Sequence, residues 1–404
     1  MEIIKIADRM KNVHSDIRGP LFVEAMDMRA RGIDVLRLNT GNPATFGFKM
    51  PESLENALKG HEQKGVAYCD FKGMPEARQA ICEFEKGKGI EGITPDDVFI
   101  GNGVSEVVNF ALMPLLNDGD EVLVPSPSYS LWGNSVYLAS GKPVFYVCDE
   151  KSEWNPDIAD IRSKVTSKTK AIVLINPNNP TGALYSDDML KQLVQVAREN
   201  GLIIFADEIY DRLVFEGEKH TAIASFAPDI LTVCFNGLSK SHNIPGFRAG
   251  WMCLAGDKTK AKGYISGLNL LSTMRLCSNV PAQSIIQTAL GGIQSCAHHF
   301  APGGRIFEQR EYIYKALNEI PGISAVKPKG AFYIFPKIDT EMYGIKDDEQ
   351  FALDLLKETH ILVTKGTGFN WHKPDHFRIV FLPEARKLEK AIGRISRFLE
   401  EYHQ

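Results

Sequence analysis

Three continuous apolar runs, each ending abruptly in polar residues, constrain the fold of this chain most strongly. They lie at 171–175, 202–206 and 231–235. Short runs that are apolar on both faces are typical of buried strands in a parallel sheet. Helical segments at 157–164 and 187–199 alternate with them, which predicts an α/β fold with a mostly parallel sheet. Because such folds bind ligands at the carboxyl ends of their strands, the polar residues after each run are the first candidates for a site.

The run 231–235 leads into a loop that carries Lys240 and, eight residues later, Arg248. Burying an ammonium group is costly, but burial also lowers the pKa of a lysine and makes it a nucleophile toward carbonyls. The planar fork of an arginine suits a phosphate. The pair therefore suggests a phosphorylated aldehyde that is held as a Schiff base on Lys240.

The other two runs end in residues that fit the same ligand. The run 202–206 is followed by Asp207, and a carboxylate at this edge could keep the ring nitrogen of pyridoxal phosphate protonated. The run 171–175 is followed by a loop in which the amide of Asn179 could hydrogen-bond the phenolic oxygen of that cofactor. The Asn179–Pro180 bond in this loop is a candidate for a cis peptide.

A glycine-rich turn offers a second contact for the phosphate. Residues 97–100 predict a strand, 101–106 read Gly-Asn-Gly-Val-Ser-Glu, and an apolar helix is expected over 107–116. The free N–H groups and the dipole at such a helix start favour an anion. We therefore place Gly103, Val104 and Ser105 at the phosphate, mainly through their backbone N–H groups.

The overall composition favours an enzyme that acts on small molecules. The chain has 404 residues, 44% of them hydrophobic, and a formal net charge of -4, which gives no reason to expect nucleic acid or an anionic membrane as a partner. Seven scattered cysteines without a Cys-x-x-Cys pair suggest reduced thiols in the cytoplasm. No run approaches a membrane-spanning length, and the pair His298-His299 lacks companions for a metal site.

Several motifs together resemble the class I aminotransferases, which are pyridoxal-phosphate-dependent (PLP-dependent) enzymes of fold type I. The motifs are N-P-N-N-P-T-G at 176–182, D-E-I-Y-D at 207–211, S-K at 239–240 and P-G-F-R-A-G-W at 245–251. D-I-R-G-P at 16–20, G-N-G-V-S-E at 101–106 and N-V-P-A-Q at 279–283 are most similar to the bacterial glutamate-pyruvate (alanine) aminotransferases. The resemblance covers nearly the whole chain.

The resemblance implies a large domain with a seven-stranded, mostly parallel sheet between helices, and a smaller α+β domain. Residues 1–45 are expected to belong to the small domain and to cover the site, 46–295 to form the large cofactor-binding domain, and 296–404 to form the small C-terminal domain. The family also implies a homodimer with shared active sites.

For the cofactor, the resemblance implies that Tyr129 stacks on the pyridine ring and that Tyr210 shares the phenolic oxygen with Asn179. Tyr68 resembles the tyrosine that reaches the phosphate of the neighbouring subunit. Aspartate-type relatives carry a phosphate-binding serine where this chain has a glycine, three residues before the lysine, so Ser239 is the substitute contact. The alternative for Tyr68 is an aromatic packed under a loop, and the alternative for Tyr129 is an aromatic packed in the core.

For the substrate, the resemblance implies that Arg378 binds the α-carboxylate in a bidentate fork, with help from Asn179 and the backbone of Gly41. Arg18 is a candidate for the distal carboxylate of an acidic substrate, and Arg275 is a second one. A role as an ordinary surface arginine stays open for both.

The implied reaction is transamination between L-alanine and 2-oxoglutarate by a ping-pong mechanism, with Lys240, Asp207 and Tyr210 as the catalytic residues. Two alternatives share the fold: transamination of aspartate or aromatic amino acids, and β-elimination at sulfur amino acids by a C–S lyase. A non-catalytic PLP sensor domain of a regulator is a third, although the segment before Gly41 is too short for the DNA-binding module that precedes such domains.

Overall fold

The computed structural model describes residues 4–15, 19–292 and 296–404. The strands in chain order are β1 Leu36–Arg37, β2 Val98–Asn102, β3 Glu121–Ser126, β4 Lys142–Asp149, β5 Asn155–Pro156, β6 Thr169–Ile175, β7 Ile203–Asp207, β8 Thr232–Gly237, β9 Ala249–Ala255, β10 Ile323–Ser324, β11 Tyr333–Ile334, β12 Lys337–Ile338, β13 Ile361–Leu362, β14 Thr364–Lys365 and β15 Phe377–Val380.

The α-helices pack around these strands. They are α1 Pro20–Ala30, α2 Glu52–Lys59, α3 Pro75–Gly87, α4 Val104–Leu112, α5 Leu131–Leu138, α6 Ile158–Lys164, α7 Asp187–Asn200, α8 Leu238–Ser241, α9 Lys262–Arg275, α10 Val280–Gln283, α11 Ile286–Gly291, α12 Ala297–Phe300, α13 Arg305–Asn318, α14 Asp348–Thr359 and α15 Ala385–Glu401.

The main sheet has the strand order β2-β9-β8-β7-β6-β3-β4-β5. The five strands β8, β7, β6, β3 and β4 run parallel, and β9, β2 and β5 are antiparallel to their neighbours. The predicted α/β fold is therefore confirmed, with eight strands in place of the expected seven. The additional strand is β5, a two-residue edge strand that pairs with the end of β4.

The three apolar runs lie in the central strands β6, β7 and β8, and the sheet has a hydrophobic core on each face. In β7, Ile204 and Ala206 face one core, whereas Phe205 faces the other; in β8, Cys234 and Val233 alternate in the same way. A strand buried on both faces disfavours polar side chains, which explains why the three runs are apolar apart from Thr232, a buried residue at the start of β8. The first polar side chains follow where the strands leave the core, at the carboxyl edge of the sheet.

A second core lies in the C-terminal part of the chain and includes residues from the N-terminal segment. Leu21 and Leu38 pack in the same cluster as Phe377, and β1 pairs in parallel with β13. Helix α1 contacts α14. A three-stranded antiparallel sheet, β11-β15-β14, lies in this part. The division at residues 45 and 295 stays a prediction, and the second boundary falls outside the described residues.

A buried ion cluster lies behind the carboxyl edge of the main sheet. Lys88 Nζ lies 2.9 Å from Glu85 Oε2, 3.3 Å from Asp211 Oδ2, and within hydrogen-bond contact of Glu208 Oε2. Asp211 Oδ2 also accepts a hydrogen bond of 2.7 Å from Asn236 Nδ2, at the end of β8. The cluster therefore ties α3, the loop after β7 and the end of β8 together.

The prediction of a cis peptide bond at Asn179–Pro180 is wrong. Asn179–Pro180 is trans, and the cis peptides are Ser126–Pro127 and Asn176–Pro177. Both cis bonds come directly after strands that end at the carboxyl edge, β3 and β6, whereas Asn179 lies three residues further into its loop.

Within the described ranges, no helix combines the length and apolar character that a bilayer crossing requires.

Candidate active site

A cavity of about 250 Å³ opens at the carboxyl edge of the main sheet, between the large sheet and the C-terminal part of the chain. Most of the residues predicted for the site line it: Gly41, Val104, Ser105, Tyr129, Asn179, Asp207, Tyr210, Ser239, Lys240, Arg248 and Arg378. They come from segments as distant as residues 41 and 378, which the fold brings together around one cavity.

Lys240 is held at the start of the loop after β8, in the short helix α8. Its Nζ donates a hydrogen bond of 2.8 Å to the carbonyl oxygen of Gly41. Burial, together with the nearby charges of Arg378 and Arg248, lowers the pKa of Lys240 to about 8. A larger fraction of this amine is therefore neutral near pH 7 than in an exposed lysine, which favours attack on a carbonyl.

Asp207 is 5% exposed at the end of β7. Its Oδ2 accepts a hydrogen bond of 2.9 Å from Trp132 Nε1, and its Oδ1 accepts one of 3.3 Å from the backbone N–H of Ile209. Burial raises the pKa of Asp207 to about 6. In the part of the chain that the structure describes, no lysine, arginine or histidine forms an ion pair with it, so a cation in the cavity would complete its environment.

Arg378, in β15, is 6% exposed and is held on several sides. Its Nη1 donates a hydrogen bond of 2.8 Å to Asn179 Oδ1, and its Nη2 donates to the backbone oxygen of Asn39. The guanidinium lies 4.6 Å from the ring centroid of Tyr333 and 4.7 Å from that of Phe369. Two aromatic faces thus fix the plane of a fork that suits a carboxylate.

The start of α4 and Arg248 form the predicted anion cradle. Gly103 has φ +83°, and a Cβ atom there would lie 2.1 Å from Arg248 Nη2. A Cβ atom on Gly250 would lie 2.5 Å from the backbone nitrogen of Val104. Arg248 itself has φ +59°, and its Nη1 donates a hydrogen bond of 2.8 Å to the carbonyl oxygen of Pro245. Only glycine permits the backbone and the guanidinium to approach so closely.

These observations fit pyridoxal phosphate. The cradle with Arg248 suits the phosphate, and the buried carboxylate of Asp207 suits a protonated ring nitrogen. Lys240 offers an amine of lowered pKa for the aldehyde, and Asn179 and Tyr210 supply donors for a phenolic oxygen. The donor set therefore matches the parts of this cofactor.

Three of the described candidate residues stand apart from the cavity lining. Gly103 lies in the cradle behind Val104, and Tyr68 is 79% exposed on the surface. Arg275 forms a salt bridge with Glu106 and donates to the carbonyl oxygens of Phe71 and Ile100, so its guanidinium is engaged within the chain. Arg18 lies outside the described residues.

Sequence reasoning misses two residues of the site. It gives Trp132 no role in the site, but the indole N–H of this residue donates a hydrogen bond to Asp207, 75 positions away. It does not single out Tyr333, which lines the cavity and has its hydroxyl 2.9 Å from that of Tyr210. Neither tryptophan nor tyrosine carries a spacing signal that predicts such a partner. Groups of three or more metal-binding side chains do not occur among the described residues.

Comparisons with known proteins point to one family of enzymes. A family model described as aminotransferase class I and II matches residues 33–395. The glutamate-pyruvate aminotransferase AlaA of Haemophilus influenzae is 53% identical over 404 residues, with full coverage of both chains. The crystal structure of an aminotransferase from Escherichia coli superposes with a TM-score of 0.98 at 50% identity over 100% of both chains. An alanine aminotransferase from Pyrococcus furiosus has a TM-score of 0.93 at 41% identity, over 98% of this chain and 100% of that one.

Proposed function

The chain belongs to the class I and II aminotransferases, and we propose that it transfers the amino group between L-alanine and 2-oxoglutarate, giving pyruvate and glutamate. The family implies pyridoxal phosphate as the cofactor and amino acids and 2-oxo acids as substrates. The observation that carries the proposal is the placement of Lys240, Asp207 and Arg378 around one cavity, in a chain 53% identical to a glutamate-pyruvate aminotransferase.

Lys240 is proposed to bind the cofactor covalently as a Schiff base and to move the substrate proton. When bound, pyridoxal phosphate supplies an aldehyde for the amino group and an electron-withdrawing ring that stabilises negative charge on the α-carbon. With the cofactor bound, the neutral amine of Lys240 would take the proton from the α-carbon of the substrate and would deliver a proton at the cofactor's aldehyde carbon. Its lowered pKa supports this role, because the amine must be neutral to accept the proton.

Asp207 and Arg378 are proposed to hold the two ends of the reacting assembly. Asp207 keeps a proton on the ring nitrogen, and Trp132 holds the carboxylate in place. Arg378 binds the α-carboxylate of the substrate, with Asn179 beside it at 2.8 Å. By fixing the carboxylate, Arg378 would orient the substrate so that one bond to the α-carbon is selected for breaking. Tyr129 is proposed to stack on the ring, and Gly41 to contact the substrate.

We further propose a homodimer in which Tyr68 reaches the phosphate in the partner's site. The 79% exposure of Tyr68 supports this proposal, because it leaves the ring free to contact a second subunit. The small domain, residues 1–45 and 296–404, is proposed to cover the site, which is supported by the Lys240 contact to Gly41 and by the position of Arg378. For the distal carboxylate, the engagement of Arg275 leaves Arg18 as the candidate.

A panel of amino donors tests the substrate. With 2-oxoglutarate present, we expect L-alanine to give pyruvate and glutamate in equal amounts and to react faster than L-aspartate or L-tyrosine. Faster reaction with either of these would keep the family and correct the substrate. Pyruvate and ammonia from cystathionine, formed without any 2-oxo acid, would favour the C–S lyase.

A further inference from the structure

Tyr210 and Tyr333 form a buried pair beside the cavity. Their hydroxyl oxygens are 2.9 Å apart, and the two residues are 4% and 2% exposed. In the part of the chain that the structure describes, each hydroxyl is the other's hydrogen-bond partner. The bond between them uses only one of their two hydroxyl hydrogens. Since both residues line the cavity, the other hydrogen remains available to a ligand.

We propose that Tyr333 is a positioning residue for the transamination: its hydroxyl donates to Tyr210 and thereby directs the Tyr210 hydrogen to the phenolic oxygen of the bound cofactor. A tyrosine hydroxyl has one hydrogen to donate and two lone pairs. If Tyr210 donates to the cofactor, the bond between the two tyrosines requires Tyr333 as its donor. The inference rests on the proposed function, because it requires pyridoxal phosphate in the cavity.

Packing fixes Tyr333 independently of this hydrogen bond. Its backbone pairs with Val380 in the small sheet, and its ring lies edge-on to the ring of Tyr210 at 5.7 Å and 86°. The guanidinium of Arg378 lies over the same ring at 4.6 Å. A donor that is held in this way loses little freedom on forming the bond, so it orients Tyr210 at low entropic cost.

The loop at Gly41 shows how closely the site is built around this hydroxyl. A Cβ atom on Gly41 would lie 2.2 Å from Tyr333 Oη, which is closer than any contact allows. The carbonyl oxygen of the same glycine accepts the hydrogen bond from Lys240. Tyr333 thus lies between Gly41, which accepts the hydrogen bond from Lys240, and Tyr210, which is proposed to bind the cofactor.

Hydrogen bonds in a chain strengthen one another, so donation from Tyr333 makes Tyr210 a stronger donor. A stronger donor stabilises negative charge on the phenolic oxygen. Because this charge then depends less on the proton of the linkage between Lys240 and the cofactor, that proton is lost at lower pH. The charged groups that act on the tyrosine pair are Arg378 and Asp207, with the hydroxyl of Tyr129 nearby. A tyrosine-to-phenylalanine change leaves all three in place.

The test compares Tyr333→Phe with the wild type as holoenzymes, by titrating the absorption of the lysine-bound cofactor against pH. We expect the midpoint to rise by roughly 0.5 pH unit and kcat to fall by roughly 5-fold. The KM for L-alanine should stay unchanged, because the phenylalanine ring still supports Arg378. Tyr264→Phe is the matched control, since that hydroxyl binds the carbonyl oxygen of Ala111 away from the cavity.

A double variant shows whether Tyr333 acts through Tyr210. In a Tyr210→Phe background, Tyr333→Phe should produce no further rise in the midpoint. An unchanged midpoint in the single variant, or a full additional rise in the double variant, would overturn the inference while the wild-type spectrum still supports the proposed function. A wild type that never shows lysine-bound cofactor would instead refute the proposed function itself.

Discussion

At the scale of single residues, the most informative group is the amine of Lys240. Burial lowers its pKa to about 8 from the 10.5 of an ordinary lysine. The charged form is the one that burial disfavours, so the amine is protonated below pH 8 and neutral above it. Only the neutral amine attacks an aldehyde.

We therefore predict that the cofactor-free protein captures pyridoxal phosphate at a rate that rises roughly tenfold per pH unit below pH 8 and levels off above it. The measurement is the rate at which absorption of the lysine-bound cofactor appears. It is made from about pH 6 to about pH 11, at intervals of roughly half a pH unit. A rate that keeps rising beyond pH 10 would show that Lys240 titrates like an exposed lysine.

Arg378 permits a second prediction at this scale. Lysine keeps the charge but loses the planar fork, so Arg378→Lys should raise the KM for both the amino acid and the oxo acid by roughly 10- to 100-fold. The control is Arg397→Lys, an exposed position in α15. Steady-state kinetics measure both variants. An equal change in the two, or none at Arg378, would contradict the assignment of the carboxylate site.

At the scale of elements, the ion cluster around Lys88 joins three segments behind the site. Burial opposes the charge of Lys88, but Glu208, Glu85 and Asp211 outweigh it and hold the pKa of Lys88 well above its usual range. Removing the cation that contacts all three carboxylates leaves them buried together without its compensating charge. Loss of one partner from such a buried pair typically costs several kcal/mol.

Lys88→Met should therefore lower the free energy of unfolding by about 3 to 5 kcal/mol. Lys59→Met is the control, because Lys59 forms an exposed pair with Glu55 at 3.2 Å, whose loss should cost less than about 1 kcal/mol. Urea unfolding followed by circular dichroism compares them. Similar midpoints for the two variants would show that the cluster does not stabilise the fold.

Elements also show what sequence reasoning can reach and what it cannot. The runs before Asp207 and Lys240 predict their strands and a common edge, since a short run that is almost entirely apolar fits a strand that is covered on both faces. The strand β5 and the cis bond at Asn176–Pro177 escape prediction, because two residues carry no periodicity and either proline of the loop could be cis. The partner of Trp132 depends on tertiary packing alone.

At the scale of the whole molecule, an exposed apolar face is where the proposed second subunit would bind. Val66 and Tyr68 are 80% and 79% exposed, and Met274 at the end of α9 is 80% exposed. The neighbouring Arg275 donates to the carbonyl oxygen of Phe71, so the end of α9 lies beside the segment of Tyr68. Apolar side chains that cluster in this way usually mark an interface.

We expect Met274→Asp to shift the protein from dimer to monomer in sedimentation and to weaken cofactor binding, because an unpaired charge is costly in an apolar interface. The control is Met342→Asp, a position that is 52% exposed in the C-terminal part of the chain. A monomeric wild type, or a Met274 variant that remains fully dimeric, would contradict this placement of the interface.

The central claim is that one cavity performs both halves of an amino-group exchange. The direct measurement is the absorption spectrum of the holoenzyme, first alone, then with L-alanine, then with 2-oxoglutarate, beside Lys240→Ala. We predict that alanine removes the band of the lysine-bound cofactor with release of pyruvate, and that the oxo acid restores it; the variant should lack this cycle. A band that alanine leaves unchanged, or full cycling in the variant, would contradict the account.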